Sequence, residues 1–286
     1  MKKEVEKELS FPLKGKYLIM LAPSFVIDFD YPEIIYQLKK LGFSKIVELT
    51  FGAKIVNHEY HLFLNKNKEL AISSVCPGVV ETILSKIPKY KKNLIPVVSP
   101  MIAMAKICKK NYPDYKIVFL SPCNFKKIEA KQLGVVDFCV DYREMKRILE
   151  EQKMDDIKLK KDYSKNWKFD SFYNEYTKVY PIAGGLFKTA HLRGILAKEE
   201  AKVIAGISNV LKFLENEKNL KKIKFLDVNF CKGGCVGGPR IFSKLPLDKR
   251  KEKVIAYLKL AESKKIPKYE KGIMNRARGI DFQRKF

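Results

Sequence analysis

Three short loops bring four cysteines to equivalent places in the chain, and this repetition limits the available folds more than any other feature. The loops read Ser73-Ser74-Val75-Cys76-Pro77-Gly78, Ser121-Pro122-Cys123-Asn124-Phe125-Lys126-Lys127-Ile128-Glu129 and Cys231-Lys232-Gly233-Gly234-Cys235-Val236-Gly237-Gly238-Pro239. Each follows a short apolar segment with the composition of a buried strand. In an open α/β sheet, ligands bind at the carboxyl ends of strands. Three such ends delivering four thiols to one place suit a cubane iron–sulfur cluster, which takes four cysteinates. A structural zinc site usually shows two close cysteine pairs. Here only Cys231 and Cys235 form one. The glycines around them let the backbone approach a bulky group. The competing reading is four unrelated buried thiols, since free cysteine is commonly buried.

The rest of the chain alternates between strand-like and helix-like segments. Lys16–Leu21, Lys45–Leu49, Leu70–Ser73, Leu94–Val98, Lys116–Leu120 and Ile223–Val228 read as strands. A helix starts near Asp30-Tyr31-Pro32-Glu33, presents Ile34, Ile35, Leu38 and Leu41, and stops at Gly42. Further helices are expected over Met101–Lys110, Tyr142–Lys153, from about Phe187, over Ala201–Glu215, and from Leu247. Such alternation argues for an α/β fold of mostly parallel sheet flanked by helices. Two lobes are expected, at about 16–150 and 169–246, joined by the polar stretch Glu150–Lys168. A basic tail, 247–286, follows as one helix and a poorly structured end. The cofactor would lie in the cleft, with Cys76 and Cys123 on one side and Cys231 and Cys235 on the other.

Composition excludes several classes. Hydrophobic residues make up 46% of 286 positions, which argues against disorder. Met1–Lys7 is charged and lacks the apolar core of a signal peptide. The best apolar run, Tyr17 to Ile27, is interrupted by Pro23 and is too short to span a bilayer. A soluble cytoplasmic protein with reduced thiols is the expectation. The formal charge of +25 attracts acidic partners. No helix-turn-helix, zinc-finger or RNA-binding motif accompanies it, so nucleic acid is not the expected partner. Cys108 and Cys139 read as ordinary packing or surface residues, and two spare thiols are too few for a second cubane. His58, His61 and His191 share no metal-binding spacing, and Trp167 reads as core.

The three loops resemble the signature motifs of the [FeFe]-hydrogenase catalytic domain, in the same order. Leu21-Ala22-Pro23-Ser24, Phe51-Gly52-Ala53, Ser99-Pro100, Gly184-Gly185-Leu186-Phe187 and Val203-Ile204-Ala205-Gly206 match further landmarks, so the likeness covers about residues 16 to 245. That family holds an H-cluster: a [4Fe–4S] cubane joined through a cysteine sulfur to a two-iron centre carrying CO, cyanide and a dithiolate amine. The resemblance implies that Cys76, Cys123, Cys231 and Cys235 ligate the cubane, with Cys235 bridging to the two-iron centre. Lys126 would hydrogen-bond one cyanide, a charge-assisted contact, and Ala22, Pro23 and Ser24 would hold the other. Pro100 and Gly184 would also lie against the cofactor, and Glu129 would be the remaining proton-relay carboxylate. The implied reaction interconverts protons, electrons and H₂. An acidic ferredoxin or similar carrier would supply electrons, and hydrogenase maturation proteins the two-iron unit.

Departures from the family pattern bear on proton supply. The proton-passing cysteine before the first ligand is Val75 here, and valine carries no proton. The relay carboxylates fall at Tyr60 and Phe63, a relay serine falls near Ile95, and the methionine before the last cysteine pair is Asn229. Divergent and sensory branches show such losses. Two alternatives therefore stay open: an H₂ or redox sensor with slow turnover, and a [4Fe–4S] carrier or assembly protein without the two-iron centre. Lys126 favours the H-cluster over a lone cubane, which needs no cyanide partner.

Overall fold

A computed structural model describes residues 9–154, 167–192, 194–262 and 272–286, and the structural statements below concern these. Two parallel sheets organise the chain. The first contains β1 (Tyr17–Leu21), β2 (Lys45–Glu48), β4 (Lys116–Ser121) and β5 (Phe138–Asp141), in the order β2-β1-β4-β5. The second contains β3 (Ala71–Ile72), β6 (Ala201–Ala205) and β7 (Phe225–Asn229), in the order β3-β7-β6. All the strand pairings are parallel.

A parallel strand covered on both faces has to be apolar throughout. β1 meets this demand, being buried at all five positions. Its residues alternate between two cores, as the two-residue period of a strand requires. Leu18 and Met20 join Val47, Met104 and Phe119, whereas Ile19 and Leu21 join Ile46, Leu120 and Tyr142. A third core under the second sheet gathers Ile72, Val79, Ile83, Val210, Leu226 and Val228.

The helices are α1 (Glu33–Lys40), α2 (Thr50–Lys66), α3 (Pro77–Lys86), α4 (Pro100–Asn111), α5 (Phe125–Leu133), α6 (Tyr142–Glu151), α7 (Gly185–Thr189), α8 (Ile207–Glu215) and α9 (Leu247–Glu262). α6 shows how local chemistry sets a boundary. The Asp141 carboxylate accepts from the backbone N–H groups of Arg143 and Glu144, and the Glu144 carboxylate accepts from Asp141 N–H at 2.8 Å. This reciprocal cap is worth about 1 kcal/mol. It starts a helix whose buried face is Tyr142, Met145 and Leu149.

Several expectations change. Ala201–Ala205 is strand β6, not helix; it pairs with β7, and Gly206 at φ 93° ends it before α8 begins. Leu94–Val98 forms isolated bridges from Leu94 to Ile72 and from Val97 to Gln283 rather than a strand, and Pro96 offers no N–H for a ladder. α2 and α3 were not anticipated. α2 buries residues around much of its circumference, including Phe51, Ile55, Val56, Tyr60 and Leu64, so it shows no single apolar stripe. Most of the expected linker, residues 155–166, lies outside the described residues.

The tail also differs from expectation. α9 forms, but residues 272–286 are not a poorly structured end. Phe282 is buried, Val98 N–H donates to Phe282 O at 2.9 Å, and Arg284 N–H donates to Pro96 O at 3.0 Å. The C-terminal segment is therefore docked on the stretch that leads into Ser99 and Pro100.

Candidate functional site

The carboxyl ends of β3, β4 and β7 face one cavity. Cys76 follows β3, Cys123 follows β4, and Cys235 lies beyond β7; all three line the cavity. Because β3 pairs with β7, Cys76 comes off the same sheet as Cys231 and Cys235. Cys123 alone comes off the first sheet, which corrects the expected two-and-two division. Cys231 lines an adjoining surface groove with Lys232 and Arg250.

Close packing ties the three loops together. Phe125 of the second loop and Phe230 beside the third pack at a tilt of 57°, with ring centroids 4.8 Å apart. Gly78 of the first loop lies under this pair, where a Cβ would come within 2.8 Å of Phe125 and 3.0 Å of Phe230. Gly234 meets a second tight spot. Its φ is +87°, a region glycine occupies freely, and a Cβ there would lie 2.6 Å from both Pro181 O and Ala183 N. An isolated bridge from Ile182 to Gly234 holds the loop against the segment before α7.

The four thiols sit close enough to feel one another. Burial, and then charge on Cys123 and Cys76, push the Cys231 thiol up to about 12. Cys235 is raised by burial and then by Cys76, Cys123 and Cys231. Cys123 is raised by burial and then by Cys76, while the Phe125 backbone N–H and the Lys126 charge pull the other way. Yet among the described residues no three His, Cys, Asp or Glu side chains close on the position of a single metal ion. A bound iron–sulfur group would supply positive charge that lets these buried sulfurs ionise. Two thiols also stand at helix N-termini, where the helix dipole favours an anion: Cys76 caps α3, and Cys123 precedes α5.

The remaining cavity wall is mostly apolar with a few polar groups. Ala22, Pro23, Ser24, Pro100 and Lys126 all line it. Gly184 does not, though its neighbour Gly185 does. Gly184 instead begins α7 at φ 79°. Lys126 Nζ donates to Glu129 Oε2 at 2.8 Å and to Val75 O at 3.4 Å. Glu129 is fully buried and reaches the cavity only through Lys126. Two polar atoms on lining residues, Tyr180 Oη and Asn229 Oδ1, are buried without a partner. Unpaired buried polar atoms are rare in native interiors, and here they flank a space able to hold a polar group. Donor set, space and orphaned atoms together fit the iron–sulfur group that the resemblance implies.

Sequence reading missed Asp227, Tyr180, Thr50 and Thr177, which also line the cavity. Asp227 could have been noticed as a carboxylate within the apolar run of β7. It is buried, its Oδ2 accepts from Phe187 N–H at 3.1 Å, and burial raises its carboxyl to about 6. An acid whose folded pKa is raised keeps its proton longer when folded. Its contribution is therefore fully present at low pH and is lost as pH rises from 3.8 through about 6. A shift of about two units corresponds to roughly 3 kcal/mol. Asp227→Asn is expected to stabilise the fold near pH 7 by up to about 3 kcal/mol and to change it little near pH 4. Thermal melts of both proteins at the two pH values test this; an equal effect at both would show that ionisation of Asp227 is not the cause.

Comparison with known proteins places this chain in a hydrogenase domain family. The chain belongs to the iron only hydrogenase large subunit, C-terminal domain family, whose model matches residues 16–239. It is 27% identical over 260 residues to iron hydrogenase 1 of Clostridium pasteurianum, covering 72% of this chain and 44% of that protein. The chain thus spans less than half the length of that relative. Its fold is similar to a variant of the [FeFe]-hydrogenase from Chlamydomonas reinhardtii, with TM-score 0.63, 14% identity and coverage of 92% and 87% of the two chains. A second solved structure, titled for oxygen inactivation through degradation of the H-cluster two-iron subcluster, aligns with TM-score 0.66 and 16% identity over 95% and 88%. An apo form of the Chlamydomonas enzyme, also a variant, aligns with TM-score 0.63 over 96% and 89%. Among the described residues no helix is long and apolar enough to cross a membrane.

Proposed function

We propose that this protein holds an H-cluster and interconverts protons, electrons and H₂, with proton supply limiting the rate. The observation that carries the reading is one cavity lined by Cys76, Cys123, Cys235, Lys126 and the Ala22–Ser24 segment, with Cys231 electrostatically coupled to the same thiols. Cys76, Cys123, Cys231 and Cys235 would hold the cubane, and Lys126 would donate to a cyanide ligand. The bound cluster would supply the redox chemistry. The chain's own residues bind it, exclude water from it and set the local charge. An acidic electron carrier fits the basic surface at the groove of Cys231, Lys232 and Arg250. Infrared spectroscopy after maturation with the two-iron complex tests the reading. CO and cyanide bands support it, whereas a cubane without such bands would leave a [4Fe–4S] carrier.

Low turnover, as in a sensor, is favoured by what surrounds Val75. Val75 lines the cavity, where the family pattern has a proton-passing cysteine. Behind it, Tyr60 Oη accepts from Ser74 N–H at 2.7 Å and pairs with Ser74 Oγ at 2.9 Å. Ser74 Oγ also reaches Ile95 O at 2.7 Å. Burial raises the Tyr60 phenol far above its usual range, so it does not ionise near neutrality. Ile95 is fully buried. A proton leaving a cysteine at position 75 would meet a closed wall in which the Tyr60 and Ser74 hydroxyls are already engaged with each other and with backbone. A working general acid contributes about 10²–10⁴-fold. Val75→Cys alone is therefore expected to raise H₂ evolution by less than about tenfold, well below that range. A hundredfold gain, measured with a chemical reductant on matured protein, would mean that the wall conducts protons and that Val75 alone is the block.

A further inference from the structure

Glu129 is saturated by partners from three parts of the chain. Its Oε2 accepts from Lys126 Nζ at 2.8 Å and from Ser99 Oγ at 2.8 Å, and its Oε1 accepts from Arg284 Nη1 at 2.9 Å. Arg284 lies 155 residues beyond Glu129 and is only 9% exposed. It is held from several sides. Its own N–H donates to Pro96 O, Gln283 bridges Val97, and its guanidinium carbon sits 4.8 Å from the Phe286 ring centre.

Two cations therefore share one buried carboxylate, which leaves one positive charge unbalanced. Arginine does not lose its proton in proteins, so Arg284 always claims part of Glu129. The surplus then falls to Lys126, the member of the trio that lines the cavity. With Lys126 and Glu129 alone, the pair would be neutral and closed on itself. Apart from Asp227 the cavity wall is largely apolar, so the Lys126 charge acts there with little screening.

We propose that Arg284 is a positioning residue: by occupying Oε1 of Glu129, the docked C-terminus leaves Lys126 with a net positive charge toward an anionic ligand in the cavity. This rests on the cofactor reading above and adds to it the final residues of the chain, which lie beyond the matched 16–239 segment. The Lys126 charge already acts on Cys123 and Cys235. It therefore bears on a cubane as well as on a cyanide-bearing unit.

The test compares wild type with Arg284→Gln and Arg284→Lys in cubane-reconstituted protein. One readout is the cubane reduction potential, followed by electron paramagnetic resonance. The other is uptake of a synthetic two-iron complex carrying CO and cyanide, followed by its infrared bands. Arg284→Gln should keep the cubane, shift its potential to more negative values and weaken uptake by about tenfold or more, the usual size of an outer-shell effect. Arg284→Lys, which keeps the charge, should recover most of both. Unchanged potential and uptake in Arg284→Gln would overturn the proposal. So would equal losses in both variants accompanied by a lower melting temperature, since Arg284 would then be only a structural anchor. Failure of wild type to take up the two-iron complex would remove the H-cluster reading, while the shift in cubane potential would still decide the part played by Arg284.

Discussion

Replacing any one of Cys76, Cys123, Cys231 or Cys235 by alanine is expected to abolish stable [4Fe–4S] incorporation, while Cys108→Ala and Cys139→Ala keep it. A cubane takes four cysteinates, and the four thiols here are coupled to one another through their charges. Cys108 is elsewhere, fully buried on α4 among apolar neighbours. Cys139 lies on β5 opposite Phe119. It feels the charge of Cys123, but burial dominates its raised thiol. It also occupies a strand rather than a loop beyond a strand end. Iron and sulfide analysis after anaerobic reconstitution reads the result. A full cluster in Cys235→Ala, or its loss in Cys139→Ala, would mean that the ligand set has been misassigned.

Breaking the buried ion pair between Lys178 and Glu48, whose chain neighbours Thr177 and Leu49 line the cavity, is expected to cost several kcal/mol of stability. Lys178 and Glu48 are both almost fully buried, and Lys178 Nζ donates to Glu48 Oε2 and to Tyr257 Oη, the latter at 3.1 Å. The ammonium also sits 4.1 Å from the Tyr257 ring centre. Burial lowers the Lys178 pKa, and Glu48 opposes that shift. Glu48 Oε1 has no partner, so the carboxylate is already incompletely satisfied. Removing one member of such a pair strands a buried charge and typically costs about 3–5 kcal/mol. Lys178→Met should show that loss in denaturant unfolding, and Lys178→Met combined with Glu48→Gln should regain most of it. A single variant within about 1 kcal/mol of wild type would contradict the account, because a stranded carboxylate cannot be that cheap. The pair also reaches the site. Thr177, next to Lys178, donates to Thr50 O at 2.6 Å, and both threonines line the cavity.

Much of the candidate site could be read from the chain before folding. Cysteines after apolar runs, glycines where backbone must come close, and the Lys126–Glu129 spacing are local patterns, and each survives into the structure as a loop beyond a strand or a first helical turn. The strands β1, β2, β4 and β7 were legible for the same reason, since a buried parallel strand must be apolar along its length. Short-range rules failed where the environment was supplied from far away. Ala201–Ala205 resembled the start of α8 until β7 offered it backbone partners. α2 showed no apolar stripe because it is covered on more than one side.

The amino-acid sequence by itself determined the alternating α/β class and set four cysteines in loops after apolar runs, with Val75 beside the first of them. Tertiary structure alone decided that β3 joins β7, putting Cys76 with the last two cysteines, and that Lys178 finds Glu48 across 130 residues. It also decided that Arg284, from an end expected to be loose, closes on Glu129. The physical reason is common to all three. Hydrogen bonds and ion pairs leave no periodic mark on a sequence. Their partners are chosen only once burial has brought distant segments together and made an unpaired charge or backbone group costly.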